Sequence, residues 1–356
     1  MRELNYESFA ETLEEKQACQ RPLSGQLELT YRCNLHCIHC YCQGSANPGN
    51  ELTTKAWKEI LDELHWEGCL WITLTGGEPL LRDDFMEIYQ YARRKGFLVS
   101  LFTNGTLFSG EVLDGLRTSP PFSIEISLYG TTEETHESVT RVHGSFRKAM
   151  ETIHWIKSAK MPLILKTVGL KQNRHEVLAL KAMAEHLLGK NKFKFDSFIT
   201  ARLNGDRAPC RCRLSPEDIL NIENSDPEMT AETQAADRNA VDLLRSPEHL
   251  YQCDVWWHQF FITPQGNLQF CHLSRKYSSD LREKSFHEGF EEFPRLLDEK
   301  FKRAVKCQRC LLRMDCYYCP PRALLETGSE EGPVEYYCQL AAARHDQNKK
   351  SRHPAA

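Results

Sequence analysis

From residue 26 to about residue 200, short apolar runs alternate with longer amphipathic stretches. The runs 26–31, 70–75, 98–103, 122–128, 163–170 and 193–199 have strand length. The stretches between them, 54–66, 83–95, 111–116, 145–159 and 174–188, carry helical patterns. In the first, Trp57, Ile60, Leu61 and Leu64 recur at helical spacing, and Thr53 precedes them as an N-cap. Strand–helix alternation over six units predicts a parallel sheet with crossover helices, an α/β fold. In barrels built this way the chemistry sits at the carboxyl ends of the strands.

Past residue 200 the pattern changes. Asn204-Gly205-Asp206, Pro209, Pro216 and Pro227 interrupt periodicity, so 201–250 reads as a bridging segment. Phe260-Phe261-Ile262 and Asn267-Leu268-Gln269-Phe270 then flank Pro264-Gln265-Gly266-Asn267, a hairpin signal. The expected division is an extension 1–25, a barrel 26–200, the bridge 201–250, a cysteine-rich domain 251–340 and a polar tail 341–356.

At 356 residues the chain can bury a full core. A net charge of −4 with no long Lys/Arg block gives no reason to expect nucleic acid. No apolar run reaches membrane-spanning length, and Met1 to Gln20 is polar and acidic, unlike a signal peptide. Fifteen cysteines without a secretion signal favour metal or catalytic thiols in a reducing compartment. A cytoplasmic location is expected.

The thiols are not scattered. Cys33, Cys37 and Cys40 are spaced C-x3-C-x2-C directly after the first strand. Four thiolates hold a [4Fe–4S] cluster that only carries electrons. Three would leave one iron open, as a catalytic zinc keeps an open position. The second strand ends in Gly76-Gly77-Glu78-Pro79, where two glycines allow a sharp turn and close approach to a ligand, and Pro79 stiffens the exit. Alone, the cysteine loop also suits a zinc knuckle, and Gly-Gly before Pro is an ordinary turn.

Together, this cysteine loop and GGEP turn resemble the radical S-adenosylmethionine (SAM) superfamily, which uses a partial (β/α)6 barrel of TIM type. The resemblance implies that Cys33, Cys37 and Cys40 hold a [4Fe–4S] cluster whose open iron chelates SAM. Reductive cleavage of SAM would then give a 5′-deoxyadenosyl radical. It further implies SAM contacts from Gly76, Gly77, Glu78 and Pro79, from Ser127 with Thr103 and Asn104 nearby, and from Arg141 to the SAM carboxylate. An arginine suits a carboxylate because its planar fork makes two parallel hydrogen bonds. His39 falls where an aromatic or apolar residue lies near adenine, a stacking position. Asp196 on strand six is a proton acceptor or substrate contact if it points inward, and a lysine partner if it points out.

Seven further cysteines, Cys253, Cys271, Cys307, Cys310, Cys316, Cys319 and Cys338, follow an order that resembles the SPASM extension with auxiliary [4Fe–4S] clusters. The resemblance assigns Cys307, Cys310, Cys316 and Cys338 to an outer cluster, and Cys253, Cys271 and Cys319 to an inner one. The last close pair, Cys316 and Cys319, is spaced by two residues where the family commonly has three. The inner cluster has an open iron, or Cys210, Cys212 or a non-cysteine residue closes it.

Most SPASM relatives modify peptides or proteins. A peptide crosslink, thioether or carbon–carbon, made during ribosomal peptide maturation is therefore the expected reaction. Only about 25 residues precede strand one, too few for a leader-recognition module, so either a separate leader-binding protein is a partner or the substrate is not a leader peptide. A flavodoxin- or ferredoxin-type electron donor is also an expected partner. Formylglycine formation of the sulfatase-maturase type, small-molecule chemistry such as tetrapyrrole oxidation, and a plain iron–sulfur electron carrier are the alternatives.

Overall fold

In the computed structural model, residues 21–233, 248–253, 258–303, 305–316 and 318–352 are described. Most of the extension 1–25 and residues 234–247 of the bridge lie outside them. Six strands, β1 (Ser24–Thr30), β2 (Trp71–Gly76), β3 (Leu98–Thr103), β4 (Ser123–Ser127), β5 (Leu163–Val168) and β6 (Phe193–Asp196), pair in parallel and in sequence order. Helices α1 (Thr54–Trp66), α2 (Phe85–Arg94), α3 (Gly110–Thr118), α4 (Glu133–Thr140), α5 (Ser145–Ser158) and α6 (Val177–Leu188) fill the crossovers. The result is the partial (β/α)6 barrel.

Period-two alternation along each strand separates two environments. Leu27, Leu29, Ile72, Leu74, Val99, Leu101, Ile124 and Ile126 point outward and are buried under the helices. Each such side chain contributes about 1.5–3 kcal/mol of burial. The intervening positions carry Glu28, Ser100, Glu125, Lys166 and Lys194, which give the barrel a polar inner face. Helix α1 is capped as expected, with the Thr53 hydroxyl accepting from the Ala56 amide, and it buries Trp57, Ile60, Leu61 and Leu64.

Helix α4 is not signalled by apolar periodicity, because Val139 is its one large aliphatic side chain. Local chemistry makes it. The Thr132 hydroxyl accepts from the Thr135 amide, and Glu133 and Glu134 favour the positive end of the helix.

The bridge is more ordered than its composition suggests. Pro216 does not break structure there; it starts helix α7 (Pro216–Asn224). Ser215 and Asp218 form a reciprocal capping box, and proline at the first turn has no amide to lose. Ile219 and Ile222 of α7 seal a second small core with Val177 and Leu340.

The expected hairpin forms as β7 (Gln259–Ile262) and β8 (Asn267–Gln269), followed by β9 (Ser278–Asp280). It does not stand apart, since β7 pairs in parallel with β1 and continues the barrel sheet. Gly25 permits the join, because a Cβ there would lie 2.1 Å from the Phe260 ring. Short helices α8 (Phe286–Phe290) and α9 (Pro294–Leu297) precede α10 (Pro320–Thr327) and α11 (Glu335–Arg352), so helix runs into the expected polar tail. Among the described residues no helix is long and apolar enough to cross a membrane.

Candidate cluster and cofactor site

The loop bearing Cys33, Cys37 and Cys40 leaves the carboxyl end of β1 and is gripped from three sides. From β2, the Gly77 amide donates to the Thr30 carbonyl at 2.6 Å and the Glu78 amide to the Arg32 carbonyl at 2.8 Å. From α4, the last carbonyls receive the loop: His36 N–H to Thr140 at 2.9 Å and Ile38 N–H to Val139 at 3.0 Å. From the bridge, the Leu203 amide donates to the Tyr41 carbonyl at 2.9 Å and Arg202 Nη2 to Gln43 Oε1 at 2.6 Å.

The glycines of the GGEP turn are needed for a close backbone contact of their own. A Cβ on Gly76 would lie 2.1 Å from the Thr30 carbonyl oxygen, and one on Gly77 would lie 2.3 Å from that of Arg32. The close approach they allow is to the cluster loop's own backbone. Glu78 is likewise spent locally, since its carboxylate accepts from the Thr103 hydroxyl at 2.8 Å, the Asn104 amide at 2.7 Å and the Leu80 amide at 3.2 Å. Burial pushes its pKa up to about 7 against those hydrogen bonds. Pro79 opens a buried 3-10 turn behind it. Thr103 and Asn104 thus stitch β3 to β2. Asn104 also reaches the cluster loop, its Nδ2 lying 2.9 Å from Asn34 Oδ1 and 3.8 Å from the Cys33 sulfur.

The three thiols converge. Burial raises Cys33 to about 11 and lifts Cys37 further, with Cys40 adding to both. The contact with Cys42 (3.5 Å between sulfurs) brings Cys40 down to about 7 and pushes Cys42 up. Yet the thiols do not fit a single ion. Zinc–sulfur bonds of about 2.3 Å place tetrahedral thiolates about 3.8 Å apart. Among the described residues, the group of three or more ligand atoms lying within 4.8 Å of one another is the surface trio Glu133, Glu137 and His143, with no cysteine in it. Thiols that feel one another and yet stand wider than zinc allows fit a cluster.

Around them, Ser127 ends β4, and the Tyr129 hydroxyl adjoins both Ser127 and the Cys37 thiol. His39 packs edge-on against Tyr129, with ring centroids 4.9 Å apart and its Nδ1 buried without a partner. Burial lowers the His39 pKa to about 4, which keeps the ring neutral. Arg141 caps α4 in the left-handed conformation (φ 60°) and is exposed, its charge felt by the Cys212 thiol.

Asp196 borders a recess lined also by Phe198, Glu223, Met229 and Arg344, and burial raises its pKa. The lysines expected as its partners go elsewhere: Lys194 Nζ is 2.7 Å and Lys166 Nζ 3.2 Å from Glu125. Asp196 Oδ1 accepts from the Phe198 amide at 2.8 Å, and Arg322 is the cation that bears most on it.

Sequence reading missed a buried network on the inner face of β1. Glu28 accepts from Tyr31 Oη at 2.6 Å and Tyr41 Oη at 2.8 Å, and Arg275, from beyond β8, lies 3.8 Å from the same carboxylate. Burial raises Glu28, while Arg275 and the two tyrosines pull it back. The alternation Leu27-Glu28-Leu29 did signal an inward acid; its partner 247 residues away carried no signal.

In the carboxyl-terminal third, Cys307, Cys310, Cys316 and Cys338 line one cavity of about 270 Å³. Burial, then Cys338, Cys307 and Cys310, raise Cys316 to about 12, so the four assigned thiols face one space. Cys271 and Cys319 meet separately, burial and then Cys319 raising Cys271 to about 12. Cys253 is exposed and ends a described stretch; residues 254–257 lie outside the described set. Cys210 faces Glu326 and Arg213, and Cys212 packs by Ile38 of the cluster loop, 4.0 Å from its carbonyl oxygen.

The radical SAM superfamily model matches residues 27–184. Over 275 residues the chain is 33% identical to the PqqA peptide cyclase of Rhodopseudomonas palustris, covering 71% of this chain and 68% of that one. Over 338 residues it is 29% identical to the AdoMet-dependent heme synthase of Methanosarcina barkeri, covering 87% and 94%. Streptococcus suis SuiB bound to its precursor peptide SuiA shares the fold, with a TM-score of 0.68 at 16% identity over 95% of this chain and 82% of that one. The chain therefore belongs to the radical SAM superfamily, as an enzyme whose carboxyl-terminal third is rich in cysteine.

Proposed function

We propose that the enzyme removes hydrogen from a peptide substrate and joins two of its residues through a thioether or carbon–carbon bond. One observation carries this reading: a three-thiol loop at the mouth of the barrel is combined, in one chain, with two further thiol groups. Cys33, Cys37 and Cys40 would hold a cluster that, when bound, would supply the electron for SAM cleavage and so the hydrogen-abstracting radical. When the substrate carbon radical bonds to a thiol or second carbon, one proton and one electron are left over. A second thiol-bound centre gives that electron somewhere to go, and Asp196, open to the recess at the end of β6, suits the proton. The peptide relatives by sequence and the peptide-bound structural neighbour support the substrate class. A separate leader-binding protein and a flavodoxin- or ferredoxin-type donor complete the system.

Reconstituted protein, SAM and dithionite should yield 5′-deoxyadenosine, and a peptide encoded beside the gene should lose two hydrogens per crosslink. A tetrapyrrole reading is favoured by one finding, the near full-length match to a heme synthase. Turnover of a propionate-bearing tetrapyrrole with no change in any neighbouring peptide would replace the peptide reading. A dehydrogenated Cys or Ser without a crosslink would point to formylglycine instead.

Two substitutions separate the roles. Arg141 directly follows Val139 and Thr140, whose carbonyls hold the loop. Arg141→Ala should cost about 2 kcal/mol of SAM binding, roughly a thirtyfold rise in Kd. Unchanged affinity by calorimetry would return Arg141 to the solvated surface. Asp196→Asn should leave SAM cleavage intact and slow product formation by about a hundredfold, the usual share of a proton acceptor. Equal loss of both activities would mean that Asp196 serves structure.

A further inference from the structure

Arg322 is a cation without an acceptor. It occupies the third position of α10, and Cys319 is that helix's N-cap, so the two side chains leave one face about a turn apart. The guanidinium carbon lies 4.9 Å from the Phe198 ring, just past β6, and 4.9 Å from the Tyr337 ring of α11. These two aromatic faces fix its plane. Its Nε is buried with no hydrogen-bond partner, and among the described residues its side chain makes no hydrogen bond or ion pair. Asp196 is close enough to be felt but is turned to the Phe198 amide. A guanidinium does not deprotonate in proteins. A buried charge is costly to hold unless an acceptor completes it.

We propose that Arg322 is the positioning residue of the inner iron–sulfur cluster, donating to the sulfurs around Cys271 and Cys319 and raising the cluster's affinity for an electron. The proposal rests on the reading of those two cysteines as cluster ligands. Its orphaned Nε and its neighbours fit such a group, since both thiols lie within its electrostatic reach. Hydrogen bonds to cluster sulfurs and nearby positive charge are the protein's means of setting a reduction potential. Placed between Asp196 at the barrel end and the Cys271–Cys319 pair, Arg322 makes the inner centre the better electron acceptor of the two auxiliary ones. Electron and proton from bond formation would then settle on either side of the same guanidinium.

The test uses full-length protein in which Cys33, Cys37 and Cys40 are Ala, so that only auxiliary signals remain. If this parent holds no iron above background, the auxiliary-cluster reading itself fails, before Arg322 is touched. In an iron-loaded parent, Arg322→Met and Arg322→Lys are compared by iron content and by potentiometric titration followed with electron paramagnetic resonance. The expected result is a lower midpoint for one cluster in the Met variant, a smaller fall in the Lys variant, and an unmoved second cluster. Loss of one cluster's iron in the Met variant and its retention in the Lys variant would equally support a charge role. Unmoved midpoints with full iron would overturn the proposal, as would equal iron loss in both variants, which would indicate packing.

Discussion

Replacing Cys33, Cys37 and Cys40 together by Ala is expected to reduce SAM cleavage to background while iron persists in the carboxyl-terminal third. The two halves of this result have separate causes. The three thiols share one loop, and the thiols that neighbour it, Cys42 and Cys212, do not make up a set of three. Cys42 is itself buried, and the two together cannot replace a set of three. The thiols at Cys307, Cys310, Cys316 and Cys338 line their own cavity, whose lining includes no residue of the loop at β1. Their environment should survive the triple substitution. Iron analysis with 5′-deoxyadenosine detection checks both halves. Cleavage that persists would remove the cluster loop from the chemistry, and iron at background would refute the auxiliary centres.

What could be read from the sequence was local. The six strands and the capped helix α1 follow from periodicity and from one threonine, and the cysteine spacings follow from counting. Helix α4 escaped because its stability comes from its cap and end charges and not from an apolar stripe. Helix α7 escaped because Pro216 reads as a breaker unless Ser215 and Asp218 are recognised as the box that precedes it. The more serious misses are pairings across long separations. Tyr129 against Cys37, Arg275 against Glu28, and Arg322 between Asp196 and Cys319 each join residues that no sequence window holds together. The glycines of the GGEP turn also touch backbone that belongs to β1 and its loop, a contact with no local signal. Residue type told which chemistry was available. Only the fold told which groups were already committed to one another.

That distinction predicts the second large effect, at Glu326. Its carboxylate is 1% exposed and faces Arg213, which is 6% exposed. Arg213 Nη1 donates to Glu326 Oε2 at 2.9 Å, and Nη2 pairs with the other oxygen. Nε and Nη2 also donate to the Ile199 carbonyl at 3.0 and 2.7 Å, and the guanidinium lies 4.6 and 5.0 Å from the rings of Tyr336 and Tyr337. Glu326→Ala would leave this guanidinium buried with its charge uncompensated, at a cost of about 3–5 kcal/mol. The double change Arg213→Met with Glu326→Leu removes both charges and should recover much of that loss, since well-packed apolar pairs often match buried ion pairs. By contrast, Glu59→Ala breaks a pair whose side chains are 86% and 61% exposed and should change little. Urea titration of the three variants orders them, and a Glu326→Ala protein as stable as the parent would show that the pair is not what ties the bridge to α10. The functional consequence follows from place. Arg213 anchors the segment just past β6, and Glu326 stands on the helix that begins at Cys319 and carries Arg322. Loosening the pair should therefore mobilise the inner thiols relative to the barrel. SAM cleavage would persist at the β1 loop while product formation fell.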